Sequence, residues 1–305
     1  MLAELDKRLL FVTGKGGVGK STVALALGIA AAAAGRRTIV CELSSQEHAS
    51  RTFRRAQIGF HEVELRDNLW AISIDPDQSM REYILLQTRV RAMGDLLYRS
   101  RIFSYLAAAT PGLREMVTIG KIWELAQLDR KSKRGHRYDL VIVDAPATGH
   151  GIGFLQTPKT FAEIARVGPI HTQAKTVHRF LTDESQAGVA IVSLPEEMAV
   201  NETTLLEREL TESIGIAVDR VHMNALYEER FDSADAERIE AAELSSSPAG
   251  AAARAALGQR RRALAQRVQL DRLTASVNAP VNTLPFLFEP ELRAAELDEL
   301  AGHLG

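Results

Sequence analysis

The feature that most constrains this chain is a glycine-rich stretch near its start, residues 13–22, with the sequence TGKGGVGKST. An apolar run at 9–12 precedes it, and an alanine-rich segment typical of a buried helix follows it. A glycine loop between a strand and a helix is the setting in which main-chain N–H groups turn inward on an anion. The stretch therefore predicts a phosphate-binding loop at the head of an α/β sheet.

The residue types in this loop indicate how a nucleoside triphosphate would be held. The helix that begins near Lys20 adds unpaired N–H groups and the positive end of its dipole. We expect Lys20 to reach the β- and γ-phosphates, the Ser21 hydroxyl to bind Mg²⁺, and Thr22 to face the α-phosphate. A dinucleotide loop is excluded because the glycine spacing differs and a lysine ends the loop. The loop residues expected to line the ATP phosphates are Gly14, Gly16, Gly17, Val18 and Gly19.

Composition sets the class of protein. With 305 residues, 46% of them hydrophobic and 25% charged, the chain is an ordinary globular protein able to bury one large core. A formal charge of −2 provides no general attraction for nucleic acid, so we expect no nucleic-acid partner. The single cysteine, Cys41, excludes internal disulfides and a C-x-x-C zinc site. With no signal sequence and no apolar run of 18 residues, the expected location is the cytoplasm.

Alternating apolar runs and helical segments predict an α/β fold, with a mostly parallel sheet flanked by helices on both faces. We expect residues 1–305 to form one P-loop domain, with a helical subdomain inserted at about 78–128 and further helices at about 153–183. Ligands of such sheets bind at the carboxyl ends of the strands, so side chains placed there should converge on one site. The expected strands cover 9–12, 38–41, 68–74, 138–144, 187–194 and 216–223, and residues 283–288 form a last strand or loop.

The strand at 138–144 ends in an acid that is placed to act on magnesium. Asp144 has the position of a Walker-B carboxylate, which holds the metal's water shell, although an aspartate here would also suit a cap on the next turn. The small residues that follow, Thr148 and Gly149, can approach a γ-phosphate closely and relax when it leaves. His150 is either part of the same γ-phosphate-sensing loop or an ordinary surface histidine.

The loop form GKGGVGKST resembles the deviant Walker A motif of dimeric ATPases, which include the Min and Par partitioning ATPases, nitrogenase iron protein and the arsenite-pump ATPases. Residues 144–150, DAPATGH, further resemble switch II of the arsenite-pump and tail-anchored-protein-targeting ATPases. The segments NLWAISIDP at 68–76, TPG at 110–112 and LPEEMAVNET at 194–203 match that family as well. The resemblance runs from about residue 8 to 290.

The resemblance implies a cytosolic ATPase that dimerises around two nucleotides and couples their hydrolysis to a membrane-protein client or a membrane partner. It implies that Lys15 crosses the subunit interface to the partner's nucleotide. The pairing could be a homodimer or a heterodimer with a paralogous ATPase. Asn224 resembles the family's adenine-contacting asparagine, and Pro285 with Phe286 resembles its adenine-side loop. Without the family resemblance, each of these three residues could equally be a turn residue or part of the core.

Switch I departs from the family pattern D-P-A-H, because Ser44 stands where the aspartate orients the attacking water. A serine is a far weaker base than a carboxylate, and general-base help is worth about 10²–10⁴-fold in rate. Glu42 or Glu47 could substitute, or Glu47 could be a solvated residue at a helix start. Hydrolysis is therefore expected to be slow, or the chain acts as a regulatory subunit that needs its partner. The expected catalytic residues are Lys15, Lys20, Ser44, Glu47 and Asp144.

The client-binding part of the sequence allows two interpretations. The helical stretch from 78 to 128 contains methionines and apolar runs, such as YILL at 83–86 and IFSYL at 102–106. Flexible thioethers suit a groove for a transmembrane helix, as in the targeting ATPases. The same residues are also what ordinary helix packing requires. The zinc-clasp and arsenite-binding cysteines of the family are missing, so thiolate binding of the metalloid is excluded and dimerisation must use another surface.

Overall fold

Eight strands build one sheet in the part of the chain that the computed structural model describes, namely residues 2–43, 48–54, 57–87, 100, 109–128, 136–165, 168–243 and 248–304. The strands are β1 (Leu9–Gly14), β2 (Thr38–Leu43), β3 (Val63–Arg66), β4 (Leu69–Ile74), β5 (Leu140–Asp144), β6 (Ala187–Ser193), β7 (Val218–Leu226) and β8 (Val281–Pro285). Their order across the sheet is β3-β4-β2-β5-β1-β6-β7-β8.

Helices cover both faces of this sheet. They are α1 (Lys20–Ala33), α2 (His48–Thr52), α3 (Pro76–Gln87), α4 (Leu113–Leu125), α5 (Thr148–Ile164), α6 (Pro169–Leu181), α7 (Glu197–Glu209), α8 (Ser233–Glu243), α9 (Pro248–Ser276) and α10 (Ala294–Gly302). Apolar side chains of α1 and α10 pack on one face, and those of α4, α5, α6, α7 and α9 pack on the other. The expected α/β fold, with a mostly parallel sheet between two helical layers, is confirmed.

The central strand is β1, which is paired in parallel with β5 on one side and β6 on the other. All six of its residues are buried. Strands buried on both faces read as continuous apolar runs, which is why β1 and β5 could be found from the sequence. Cys41 lies in β2 and is fully buried.

Strand β3 was not predicted, and it is the antiparallel member of the sheet. Only Leu65 of its four residues is buried, so the sequence lacks the apolar run that marks the other strands. A tight turn at Asp67 and Asn68 connects β3 to β4, and Asn68 adopts a positive φ of 61°. Asparagine tolerates this left-handed conformation better than most residues, which suits it to the turn.

Two strand boundaries near the site differ from the predicted ones. Strand β7 continues to Leu226, beyond the predicted end at 223, so Asn224 lies within the strand rather than at its end. Strand β8 begins earlier than expected and ends at Pro285, so residues 286–288 lie beyond it. The proposed helical subdomain at 78–128 is represented by α3 and α4, and residues 88–99 and 101–108 lie outside the described part.

Strand β8 is attached to α7 through a buried carboxylate. Glu207 accepts hydrogen bonds from the backbone N–H groups of Asn278 and Ala279, at distances of 2.7–3.1 Å. These residues form the turn between α9 and β8, so the contact sets where β8 begins. Among the described residues, no helix combines the length and apolar character that a bilayer span requires.

Candidate nucleotide-binding site

The glycine loop and Asp144 meet at the carboxyl ends of the central strands. Val12 of β1 lies opposite Asp144 in the register with β5, so the acid stands beside the residue that precedes the loop. The Ser21 hydroxyl, in the first turn of α1, donates a 2.5 Å hydrogen bond to Asp144 Oδ2. Thr22 follows it in the same turn. The two predicted metal-binding side chains are therefore in direct contact.

Two glycines of the loop occupy places that a side chain would block. Gly14 has a φ of 145°, and a Cβ there would lie 2.2 Å from the Val192 carbonyl oxygen of β6. Gly19 has a φ of 90°, and a Cβ there would lie 2.4 Å from Asn224 Nδ2. Gly14 is therefore required for both conformation and space, because its neighbour is backbone, whereas Gly19 is required by its positive φ and by the present position of the Asn224 side chain.

The loop presents main-chain donors at its tip. Gly16 and Gly17 are exposed, whereas Val18 is buried and anchors the loop. Helix α1 begins after Gly19, which makes no side-chain capping hydrogen bond. Its first-turn N–H groups are thus left to water or to an anion, and the helix dipole favours the anion.

Lys20 lies folded over the loop. Its Nζ donates a 2.8 Å hydrogen bond to the Lys15 carbonyl oxygen, so the ammonium group is held on the loop backbone. Burial lowers the pKa of Lys20, and the nearby Asp144 carboxylate raises it in part. A phosphate in the loop would add negative charge where this ammonium is incompletely solvated, which fits a phosphate ligand.

Asp144 is a buried carboxylate whose surroundings fit a cation. Burial raises the pKa of Asp144, while the Ser21 hydrogen bond and the charge of Lys20 act in the opposite direction. Hard oxygen donors, a hydroxyl and a carboxylate, are the ligands that Mg²⁺ prefers, directly or through its waters. Ser21 and Asp144 therefore provide a suitable place for magnesium bound to a triphosphate.

Asn224 reaches the loop from β7. Its Nδ2 donates a 3.0 Å hydrogen bond to the Val18 carbonyl oxygen, and it lies against Gly19. The structure thus brings the predicted base-contacting asparagine to the phosphate loop, although 206 positions separate Asn224 from Val18. Such a contact cannot be read from sequence spacing.

Pro285 and Phe286 lie close to the same end of β7. Pro285 pairs with Leu226, and the Phe286 N–H donates to the Leu226 carbonyl at 2.8 Å. The Phe286 ring packs on Tyr227, with centroids 4.9 Å apart, and equally near Phe288. Phe286 and Phe288 are partly exposed, so this aromatic group offers an apolar surface at the end of β7, the strand that also carries Asn224.

Lys15 makes an ion pair within its own chain. Its Nζ lies 2.9 Å from Glu202 Oε1 of α7, and the two side chains are 33% and 36% exposed. Glu202 was not predicted as a partner of Lys15, because it lies in the segment 194–203 and no sequence spacing links that segment to the loop. Exposed ion pairs contribute about 0–1 kcal/mol, so Lys15 can exchange this partner for another at small cost.

Of the switch I candidates, Glu42 lies among the residues that the structure describes. Ser44 and Glu47 lie outside the described residues, as do the side chains of Thr148 and His150. Glu42 is buried beside Asp144 in the register of β2 with β5. Its Oε1 accepts a 2.7 Å hydrogen bond from the Ala49 N–H at the start of α2. This contact engages one oxygen of Glu42 in holding α2.

This site has the parts of a P-loop NTPase. A glycine loop joins a strand to a helix at the carboxyl edge of a parallel sheet, and it lies beside a lysine and a serine–aspartate pair. The chain belongs to the anion-transporting ATPase family, whose sequence model matches residues 7–168 and 162–245. The family expected from switch II and the accompanying segments is thereby confirmed.

Known relatives carry ATPase names. The chain is 31% identical over 211 residues to the ATPase BagA of Mycobacterium tuberculosis, in an alignment that covers 67% of this chain and 61% of the relative. It is 28% identical over 179 residues to the ATPase get3 of Neurospora crassa, covering 57% and 50%. It is 26% identical over 270 residues to the ATPase GET3 of Kluyveromyces lactis, covering 77% and 76%. The chain thus spans less than two thirds of the mycobacterial relative's length.

Replacing Asp144 tests whether this buried carboxylate lowers the stability of the nucleotide-free protein while serving metal binding. Because burial raises the pKa of Asp144, the folded chain binds this proton more tightly than the unfolded chain, and stability falls as pH rises above the ordinary value of 3.8. Asp144→Asn should therefore stabilise the nucleotide-free protein at pH 7 by about 0.5–2 kcal/mol. The gain should shrink toward pH 4. Urea denaturation at several pH values measures it.

The same variant should lose magnesium-dependent nucleotide binding. Ser21→Ala serves as the comparison, because it removes the hydroxyl and leaves the buried carboxylate in place. An Asp144→Asn protein that is less stable than wild type at neutral pH would contradict the conclusion that burial makes the charge at this position destabilising.

Proposed function

We propose that this chain binds Mg-ATP at the glycine loop and hydrolyses it, and that the bound nucleotide controls pairing with a second ATPase protomer. The observation that carries the proposal is the contact between Ser21 and Asp144, formed directly below the loop that Lys20 covers. Membership of a family of ATPases supports nucleotide use by this site.

In this proposal each residue has a distinct task. The N–H groups of residues 14–19 and the start of α1 hold the phosphates, and Lys20 neutralises the β- and γ-phosphates. Ser21 and Asp144 hold magnesium, which neutralises charge that develops during phosphoryl transfer. Asn224, Pro285 and Phe286 bind the adenine. These roles match the positions of the side chains, all of which lie at one edge of the sheet.

Pairing of two protomers is proposed from the position of Lys15. The side chain lies at the rim of the loop, partly exposed and held by a weak ion pair, so it is available to a neighbouring molecule. In this arrangement a nucleotide bound in one protomer contacts Lys15 of the other, and ATP strengthens the dimer. The partner is a second copy of this chain or a paralogous ATPase.

Two lysine variants separate binding from pairing. Lys20→Ala should abolish Mg-ATP binding in calorimetry, because it removes the partly buried positive charge next to the proposed phosphate position. Lys15→Ala should leave affinity within about fivefold, because Lys15 makes only an exposed ion pair, and it should abolish the ATP-dependent rise in solution mass. Lys175→Ala, at an exposed position on α6, is the control. Equal loss of binding in both loop variants would show that Lys15 does not act in trans.

Hydrolysis is proposed to be slow in the isolated chain, because Ser44 stands where the family has a water-orienting aspartate. The alternative role is a weakly hydrolytic regulatory subunit that becomes active beside a partner with an intact switch I. Both versions use the same nucleotide site and differ in which protomer supplies the base.

Restoring the carboxylate tests this proposal. Ser44→Asp should raise steady-state phosphate release by up to about 10²-fold, the lower end of what a general base contributes. Ser45→Asp is the matched control, since it adds the same charge one residue later. Turnover should be measured alone and with a paralogous ATPase. A wild-type rate that already equals the Ser44→Asp rate would show that another group supplies the base.

A second candidate function, transport of apolar membrane-protein segments, is favoured by a groove between α3, α4 and α6. The cavity has a volume of about 640 Å³. One wall carries Lys121, which is paired with Glu82 at 2.7 Å and Glu124 at 3.2 Å. The apolar lining includes Tyr83, Leu86, Leu113, Met116, Val117 and Ile170. In this second proposal an apolar helix packs against this surface.

Capture of an apolar helical peptide without detergent tests the groove. The double variant Leu86→Asp and Ile170→Asp places charges on two exposed lining residues and should abolish capture. Leu128→Asp, at an exposed position that does not line the cavity, should leave capture unchanged. A wild-type protein that captures no peptide would remove this second function.

A further inference from the structure

The backbone of strand β7 becomes irregular directly after Asn224, the residue that contacts the glycine loop. Its register with β8 shifts between Met223 and Leu226. Within that irregularity, Ala225 has a φ of 61°, a left-handed conformation that residues with a side chain rarely adopt. Such a conformation persists when surrounding contacts hold it, and it is typical of sites where one side chain must be aimed.

A single side chain of α9 holds both sides of this irregularity. Gln266 Oε1 accepts a 2.7 Å hydrogen bond from the Tyr227 N–H. Gln266 Nε2 donates a 3.3 Å hydrogen bond to the Ala225 carbonyl oxygen. One carboxamide therefore satisfies a donor and an acceptor of the backbone where the strand ladder is interrupted.

Asn224, the residue before Ala225, is thereby fixed from two directions. On the loop side, its Nδ2 donates to the Val18 carbonyl oxygen at 3.0 Å. On the strand side, the Gln266 bridge fixes the backbone that follows it. One of the two Nδ2 hydrogens is engaged with the loop, and the Oδ1 atom is the acceptor that the carboxamide can offer to a ligand. At the 6-position of a purine, an acceptor favours the amino group of adenine over the oxo group of guanine.

We propose that Gln266 is a positioning residue that sets base selectivity by holding the β7 irregularity and, through it, the Asn224 carboxamide. The proposal rests on the proposed function, since it concerns the base end of the same nucleotide site. Gln266 itself contacts backbone and not the nucleotide, so its effect should depend entirely on Asn224.

The test measures Mg²⁺-dependent binding of ATP, GTP and tripolyphosphate to the full chain by calorimetry. Gln266→Ala should weaken ATP binding about tenfold, as expected when a hydrogen bond to the base is lost. The ratio of ATP to GTP affinity should fall by a similar factor, and tripolyphosphate binding should stay unchanged, because the loop is intact. Gln269→Ala, the same change one turn along α9, is the control and should preserve the ratio.

A double-mutant cycle with Asn224→Ala distinguishes positioning from general damage. If Gln266 acts through Asn224, adding Gln266→Ala to Asn224→Ala should change ATP affinity no further. Gln266→Glu removes only the donor half of the bridge, because a carboxylate can still accept from the Tyr227 N–H but cannot donate to the Ala225 carbonyl and repels it. This variant should lose part of the selectivity, with an unchanged circular dichroism spectrum.

The outcomes of these binding experiments distinguish failure of the proposed function from failure of the Gln266 positioning role. A wild-type chain that binds neither ATP nor tripolyphosphate would overturn the proposed function, and this inference with it. A wild-type chain that prefers ATP, combined with Gln266 variants that retain the full preference, would overturn the positioning role alone. Additive losses in the double variant would also overturn it, because Gln266 would then act independently of Asn224.

Discussion

The hydrogen bond between Ser21 and Asp144 joins the two parts of the molecule on which the site depends. Ser21 begins the helix that follows the loop, and Asp144 ends the neighbouring strand, so the bond fixes the start of α1 against the sheet. It also partly compensates a carboxylate that burial makes costly to ionise. A protein that keeps such a group gives up stability in its empty state, and a magnesium ion would recover it.

The charges around the loop differ in how firmly they are held. Lys20 is partly buried and engaged with the loop backbone, so its position is defined by the fold. Lys15 lies at the surface, where its ion pair with Glu202 is readily exchanged. The same short sequence thus supplies one fixed and one adaptable positive charge. This division suits a site in which phosphate binding is constant and the contact with another molecule changes.

Much of the fold could be predicted because the strongest signals are local. The apolar runs at β1 and β5, the glycine spacing and the acid at residue 144 each fix a structure within ten residues of sequence. Strand β3 was missed because only Leu65 of it is buried. The partners Glu202 of Lys15 and Gln266 of the β7 backbone could not be predicted, since they depend on side-chain directions between elements distant in the chain. Ser44 and Glu47 remain predictions.

The strand order places the two ends of the candidate site in regions of unequal local stability. Strand β1, which carries the loop, is hydrogen-bonded on both sides near the centre of the sheet, whereas β8, which leads to Phe286, is one of the two edge strands of the described sheet. Edge elements open at lower free energy than central ones, and amide hydrogens report this difference as faster exchange. Thermal fluctuation would therefore loosen the proposed base-binding surface while the glycine loop remains intact. If the site acts as proposed, a partly opened molecule would still hold a triphosphate but would discriminate less among bases.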